Sequence, residues 1–250
     1  MICKNCDTIA EGNYCSKCGQ KTNIERLNFS YLIRELSGSL FQLEYGFFYT
    51  LKELFVAPGR SITAFLNGRR KKYFKPLSYV LILSTLYFLV TLAIDEKTWI
   101  GDFISGWSEG SGMYEDNGEN SEMMPSILMW FSENHAYSIL LLIPVFSLAS
   151  YLCFKRFDRN YVEHVLINSY ITAQQALLYA FFAVVAYISE YQMFEIAPFA
   201  LSIAYNIFVY YSIFSEGHRV VNILRSIITY VLYLVFSAGA FILIFLISKI

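Results

Sequence analysis

The sequence predicts an all-α, polytopic membrane protein of about five transmembrane helices, with a small zinc ribbon at its N-terminus. Three observations predict it. First, charged residues are only 16% of the 250 residues and hydrophobic residues 56%, and 20 Tyr and 22 Phe are more than one water-soluble core can hold. Second, five stretches (77–94, 136–154, 165–189, 196–215 and 226–248) contain no Asp, Glu, Lys or Arg, so all 39 charged side chains fall in the other 145 residues. Third, Cys3, Cys6, Cys15 and Cys18 stand in the pattern C-x2-C-x8-C-x2-C. This composition excludes a disordered chain, a secreted disulfide miniprotein and a soluble enzyme, and a net charge of −1 gives no global case for nucleic acid.

Residues 1–26 read as a metal-held module. Each C-x2-C makes a tight knuckle that aims two sulfurs at one ion. Two facing knuckles complete a tetrahedral S4 shell suited to one Zn²⁺ at about 2.3 Å per bond. Gly19 follows the second knuckle, where a positive φ costs least, and Gly12-Asn13 can turn the intervening hairpin. So small a fragment buries no core, and the metal supplies most of its folding free energy. Disulfides need an oxidising compartment, and a thioredoxin-like pair needs a βαβ context that is absent. Rubredoxin-like iron fits the same shell as zinc. A four-thiolate shell leaves no open position, so the site reads as structural. Lys4, Lys17, Lys21 and Arg26 against Asp7, Glu11 and Glu25, with Tyr14 the one aromatic, make a poor nucleic-acid footprint.

Residues 27–76 read as interfacial helices and a basic collar. Phe29, Leu32, Ile33, Leu36, Leu40 and Leu43, then Phe47, Leu51, Leu54 and Phe55, recur at spacings of three and four, with a break expected at Ser37-Gly38-Ser39. Such a stripe lies in the membrane interface or packs across the ends of the spans. Pro58 suits a helix start and Gly68 its end, which places Ile62, Phe65 and Leu66 on one face. Arg69, Arg70, Lys71 and Lys72 then precede the first span. They hold this end in the cytoplasm, and contact with anionic lipid headgroups is a second role for the same four residues.

Several motifs of this region carry a resemblance. Cys18-Gly-Gln-Lys21 is followed by the Phe- and Leu-rich stripe. Thr50-Leu-Lys-Glu-Leu54, Pro58-Gly59 and Gly68-Arg-x-x-x-Tyr-x-x-Pro76 come next and run into a hydrophobic span. The ordered set resembles a family of bacterial membrane proteins of unknown function, common in Bacteroidetes, over residues 1 to about 95. The resemblance implies a bacterial inner-membrane protein with a cytosolic zinc ribbon, and it implies no activity.

The five charge-free stretches, within a membrane domain of 77–250, are each about 20 residues, the length that crosses a hydrocarbon core of about 30 Å. Alternating sides puts 17 Lys and Arg on one side and 2 on the other, so the N-terminus is expected inside and the C-terminus outside. Residues 1–26 lack the apolar region of a cleavable signal, and the first span is expected to act as the anchor. On charge alone, a bacterial inner membrane and a eukaryotic endomembrane both fit. The acidic, Gly- and Ser-rich segment 95–135 is expected as a mobile external loop.

The spans offer little chemistry. None carries a central ionisable Asp, Glu, Lys or Arg of the kind proton and ion pathways use. Asn168, Thr172 and Gln175 share a helix face, fitted to interhelical hydrogen bonds or to lining a polar cavity. Ser237-Ala-Gly-Ala240 is a small-residue patch for close helix packing, and Cys153 is a small packing residue. His135 is expected outside, while His164 and His218 share the inner side and are able to approach each other. No nucleophile or P-loop motif accompanies them, so no catalytic residue is assigned. The expectation is an interaction or scaffold protein that combines the lipid bilayer with a cytosolic protein partner. The alternative is a small transporter, channel or lipid-handling protein.

Overall fold

The computed structural model describes residues 1–37, 46–110, 130–131, 133–189, 193–216 and 218–248. Leu40, Leu43, Gly38 and Ser39, the 111–129 part of the acidic segment, and Lys249 lie outside the described residues.

The helices are α1 (Phe29–Ser37), α2 (Phe47–Val56), α3 (Pro58–Leu66), α4 (Pro76–Ala93), α5 (Trp99–Gly110), α6 (His135–Phe154), α7 (Tyr161–Ser189), α8 (Met193–Ile213) and α9 (Arg219–Ser248). Five of them, α4 and α6 to α9, are long and apolar enough to cross a bilayer, which makes the chain a multi-pass membrane protein. Among the described residues the only extended pairings are two isolated bridges in the N-terminal module.

Three helices overrun their charge-free windows by three residues or more, α8 by starting at Met193. α7 begins at Tyr161 because Asn160 and Glu163 form a reciprocal cap. Asn160 Oδ1 accepts the Glu163 N–H at 2.8 Å, and Glu163 Oε2 accepts the Asn160 N–H at 3.0 Å. α9 begins at Arg219 and carries Arg225 in its second turn, where the guanidinium lies over the Phe157 ring and bonds Asn222 Oδ1. A charge this near a helix end reaches the polar interface by extending its stem. The expectation of an irregular 95–135 segment needs correction as well. Trp99–Gly110 is helical, and Thr98 starts it by accepting the Gly101 N–H on its hydroxyl.

α7 is the axis of the bundle, packed by α4, α6 and α8, while α9 closes against α6 and α8. Around it sit the large buried rings of Tyr79, Phe154, Tyr170 and Tyr210. The short helices α1 to α3 form a platform across one end. Pro58 starts α3, and Ile62, Phe65 and Leu66 are buried as the sequence predicts. A Cβ on Gly59 would stand 2.3 Å from Ser212 Cβ, so this glycine lets α3 press against the end of α8. The stripe of α1 and α2 divides: Leu54 is buried, Leu32, Phe47 and Leu51 are partly buried against the core, and Phe29, Ile33 and Phe55 are exposed. The small-residue patch on α9 does not bring a neighbour close, since a Cβ on Gly239 would meet no described atom within 4 Å.

The platform is tied to the spans by polar contacts. Thr50 Oγ1 accepts the Phe74 N–H at 2.8 Å, and Tyr170 OH donates to Phe74 O at 2.6 Å. Gln174 donates to Leu51 O and Tyr205 OH to Leu54 O. Glu35 of α1 caps α4 from outside: its Oε1 accepts the Leu77 N–H at 2.7 Å, supplying the acceptor that Lys75, at the N-cap, lacks.

Candidate metal centre

The N-terminal module is two copies of one turn. Cys3 N–H donates to Thr8 O and Asp7 N–H to Cys3 O; twelve residues on, Cys15 N–H donates to Gln20 O and Gly19 N–H to Cys15 O. Each turn needs a left-handed residue after its second cysteine, supplied by Asp7 at φ 58° and Gly19 at φ 69°. The bridges Ile2–Ile9 and Tyr14–Lys21 flank the two turns. Cys3 and Cys15 are buried, and Cys6 and Cys18 half-buried.

This repeat gathers the sulfurs. All four Sγ atoms lie within 4.8 Å of one another, with Cys3–Cys18 at 3.7 Å and Cys6–Cys15 at 3.5 Å. A disulfide needs about 2.05 Å. A tetrahedron of sulfurs about 2.3 Å from a central ion has edges of about 3.8 Å. The four cysteines therefore could hold one metal ion. The Thr8 hydroxyl and N–H beside Cys6 draw its thiol down to about 6, while burial pushes Cys18 up to about 11.

The module does not hang free. The buried amide of Gln20 engages the collar backbone on both sides: Oε1 accepts the N–H groups of Arg70 and Lys71 at 3.0 Å each, and Nε2 donates to Gly68 O at 2.9 Å. Asn5 Oδ1 accepts the Lys72 N–H at 3.1 Å. Arg69 pairs with Asp7 at 3.0 Å, and Arg70 donates to Glu25 O at 2.7 Å while its guanidinium lies 5.2 Å from the centre of the Tyr31 ring. Gly68 turns at φ +112°, and a Cβ there would stand 3.0 Å from Lys4 Cδ and 3.3 Å from Ile24. On the other flank Arg26 pairs with Glu163 at 3.2 Å and donates to Asp158 O, and Asn160 donates to Leu27 O. The collar thus grips the module, with Lys71 and Lys72 left exposed and Lys72 Nζ 4.6 Å from the centre of the Tyr49 ring. Sequence reasoning missed Gln20, Asn5 and Glu35. The Asn160-x-x-Glu163 spacing was a legible cap signal.

The histidines are not brought together as a site. His135 is buried edge-on to Tyr87, and His164 is buried between Ser150, bonded at 2.9 Å, and the Phe214 ring, while His218 is exposed. The polar face of α7 makes interhelical bonds. Asn168 donates to Ser147 and Ser150 and accepts from Tyr210, and Gln175 donates to Ser202 O and Tyr230 OH. Cys153 is partly buried against the core.

Residues 44–88 match a family described as a protein of unknown function, DUF3667. The match covers less than a fifth of the chain and holds the Thr50–Leu54, Pro58-Gly59 and Gly68–Pro76 motifs, but not the four cysteines. No curated protein and no solved structure matches the chain.

Proposed function

We propose that this chain is a scaffold of the bacterial inner membrane. In this reading it holds one structural Zn²⁺ on Cys3, Cys6, Cys15 and Cys18, and it presents the resulting ribbon to a cytosolic protein. The N-terminus is inside and the C-terminus outside, following the 17-to-2 distribution of basic residues. The observation that carries the reading is the clasp: the ribbon is fixed to the collar through Gln20 while Ile2, Ile9 and Tyr14 stay exposed beside its bridges. Ile2 and Ile9 stand exposed side by side across one bridge, the kind of apolar surface a docking patch offers. A four-thiolate shell has no open position for substrate, which supports a non-catalytic role. Headgroup contact from the collar belongs to Lys71 and Lys72, since Arg69 and Arg70 serve the ribbon.

The test replaces Ile2 and Ile9 with Ser, which touches neither a sulfur nor the clasp. The reading expects the zinc content to be kept and the cytosolic proteins crosslinked through a photoreactive residue at Tyr14 to be lost. The same crosslinked proteins at the same yield in parent and variant would contradict it.

A further inference from the structure

A partly open cavity of about 340 Å³ lies among the spans of the membrane bundle. Its origin is the packing order of four spans. α6 packs on α7, α7 on α8, α8 on α9 and α9 on α6, so they form a ring with space at its centre. No Asp, Glu, Lys or Arg lines the space. Most of the wall is apolar, supplied by side chains such as Ile139, Phe146, Ile227 and Leu234.

A small polar group sits at mid-depth. Gln175 is the middle residue of α7, and its Nε2 reaches across the ring to Tyr230 OH on α9 at 2.8 Å and to Ser202 O on α8 at 3.1 Å. Ser202 is 4% exposed, and its hydroxyl interacts with the Tyr179 side chain, which also lines the space. The wall continues to His135, the first residue of α6, so the space runs from mid-span toward the end remote from the ribbon.

We propose that this cavity binds a neutral, membrane-dissolved lipid with a hydroxyl or carbonyl head, seated at Gln175, Ser202 and Tyr230. Water finds partners only at the Gln175 group, and the apolar remainder of the wall suits a hydrocarbon chain, as an apolar cavity of about 150 Å³ stays dry and takes up benzene. Left empty, the wall forfeits its dispersion contacts. A charged head would need a counter-charge that the wall lacks. A neutral head finds a donor in the Tyr230 O–H, which Gln175 Nε2 leaves free by donating to its oxygen, and an acceptor in Gln175 Oε1. The volume is at the lower end of ligand sites, about 300–1,000 Å³, enough for a head and a short length of chain, with the rest lying between helices. The inference is independent of the scaffold reading, because no ribbon residue lines the cavity.

The full chain in phosphatidylcholine nanodiscs is photolabelled with a diazirine-bearing long-chain alcohol. The sulfonic acid of the same chain, ionised at every working pH, is the control. The expected result is labelling of α7 and α8 peptides around Gln175 and Ser202 by the alcohol, displaced by unlabelled oleyl alcohol, with the acid at least about tenfold weaker there. Ala176→Phe, which fills the space, should remove that labelling. Gln175→Leu should abolish the preference for alcohol over acid, and it decides the matter if Ala176→Phe does not fold by gel filtration. Equal labelling by alcohol and acid in the parent, or labelling that survives both the competitor and the substitutions, overturns the proposal.

Discussion

Gln20 and Glu35 show how single polar side chains join separate parts of this chain. Gln20 satisfies two backbone donors and one acceptor of the collar at once. Gln20→Leu strands those groups, at a cost of about 1–3 kcal/mol. It should raise hydrogen exchange at the Arg70 and Lys71 amides while leaving the metal content unchanged; protection equal to the parent's would show that the contact holds nothing. Glu35 is 4% exposed, and burial pushes its carboxyl up to about 7 from 4.5, against the pull of the Leu77 N–H. A carboxyl raised in this way binds its proton more tightly folded than unfolded. Its stabilisation is present below about 4.5 and is lost as pH rises through about 7, at most about 3 kcal/mol. Glu35→Gln keeps an acceptor for Leu77 and removes the titration, so its thermal midpoint should gain on the parent's between pH 5 and pH 8. A constant difference between the two over that range would count against this account. Neither role was legible in the sequence, because nothing local to Gln20 or Glu35 reveals a partner 40 to 50 residues away.

At the scale of elements, the spans and the platform were readable because their signals are local. Charge-free length marked α4 and α6 to α9, and Pro58 with Gly68 bounded α3. The start of α7 was misplaced because charge was used as a boundary, whereas the Asn160–Glu163 cap and the Arg26 pair allow Glu163 inside the helix. α5 was missed because Gly and Ser in its sequence outweighed the apolar spacing of Ile100, Phe103 and Ile104. Pro58-Gly59 was recognised as a motif without its reason, which is the approach of α3 to Ser212. Gly59→Ala should cost about 1–3 kcal/mol through overpacking, read as a lower thermal midpoint in detergent. A midpoint at or above the parent's would show that α3 and α8 separate at no cost.

Across the whole molecule, the basic collar, the platform and the four-cysteine module gather at one end of the bundle. The collar abuts the module, Arg26 reaches the 158–163 connection, and Phe157 meets Phe214 at the end of α8. Under the proposed topology that end is cytoplasmic, and a single cysteine introduced at residue 120 should react with an impermeant reagent in intact cells. Reaction only after lysis would invert the orientation. Under the same proposal the ribbon and the bundle draw on different sources of stability, metal ligation and helix packing in lipid, and the collar couples them. The central claim, that a metal-held module is docked on this collar, is tested most directly by hydrogen exchange at residues 68–72 before and after a chelator removes the metal. The account predicts protected Arg70 and Lys71 amides in the loaded protein and rapid exchange there after removal, with α4 and α6 to α9 unchanged. Exchange at these amides that is the same with and without metal would contradict it.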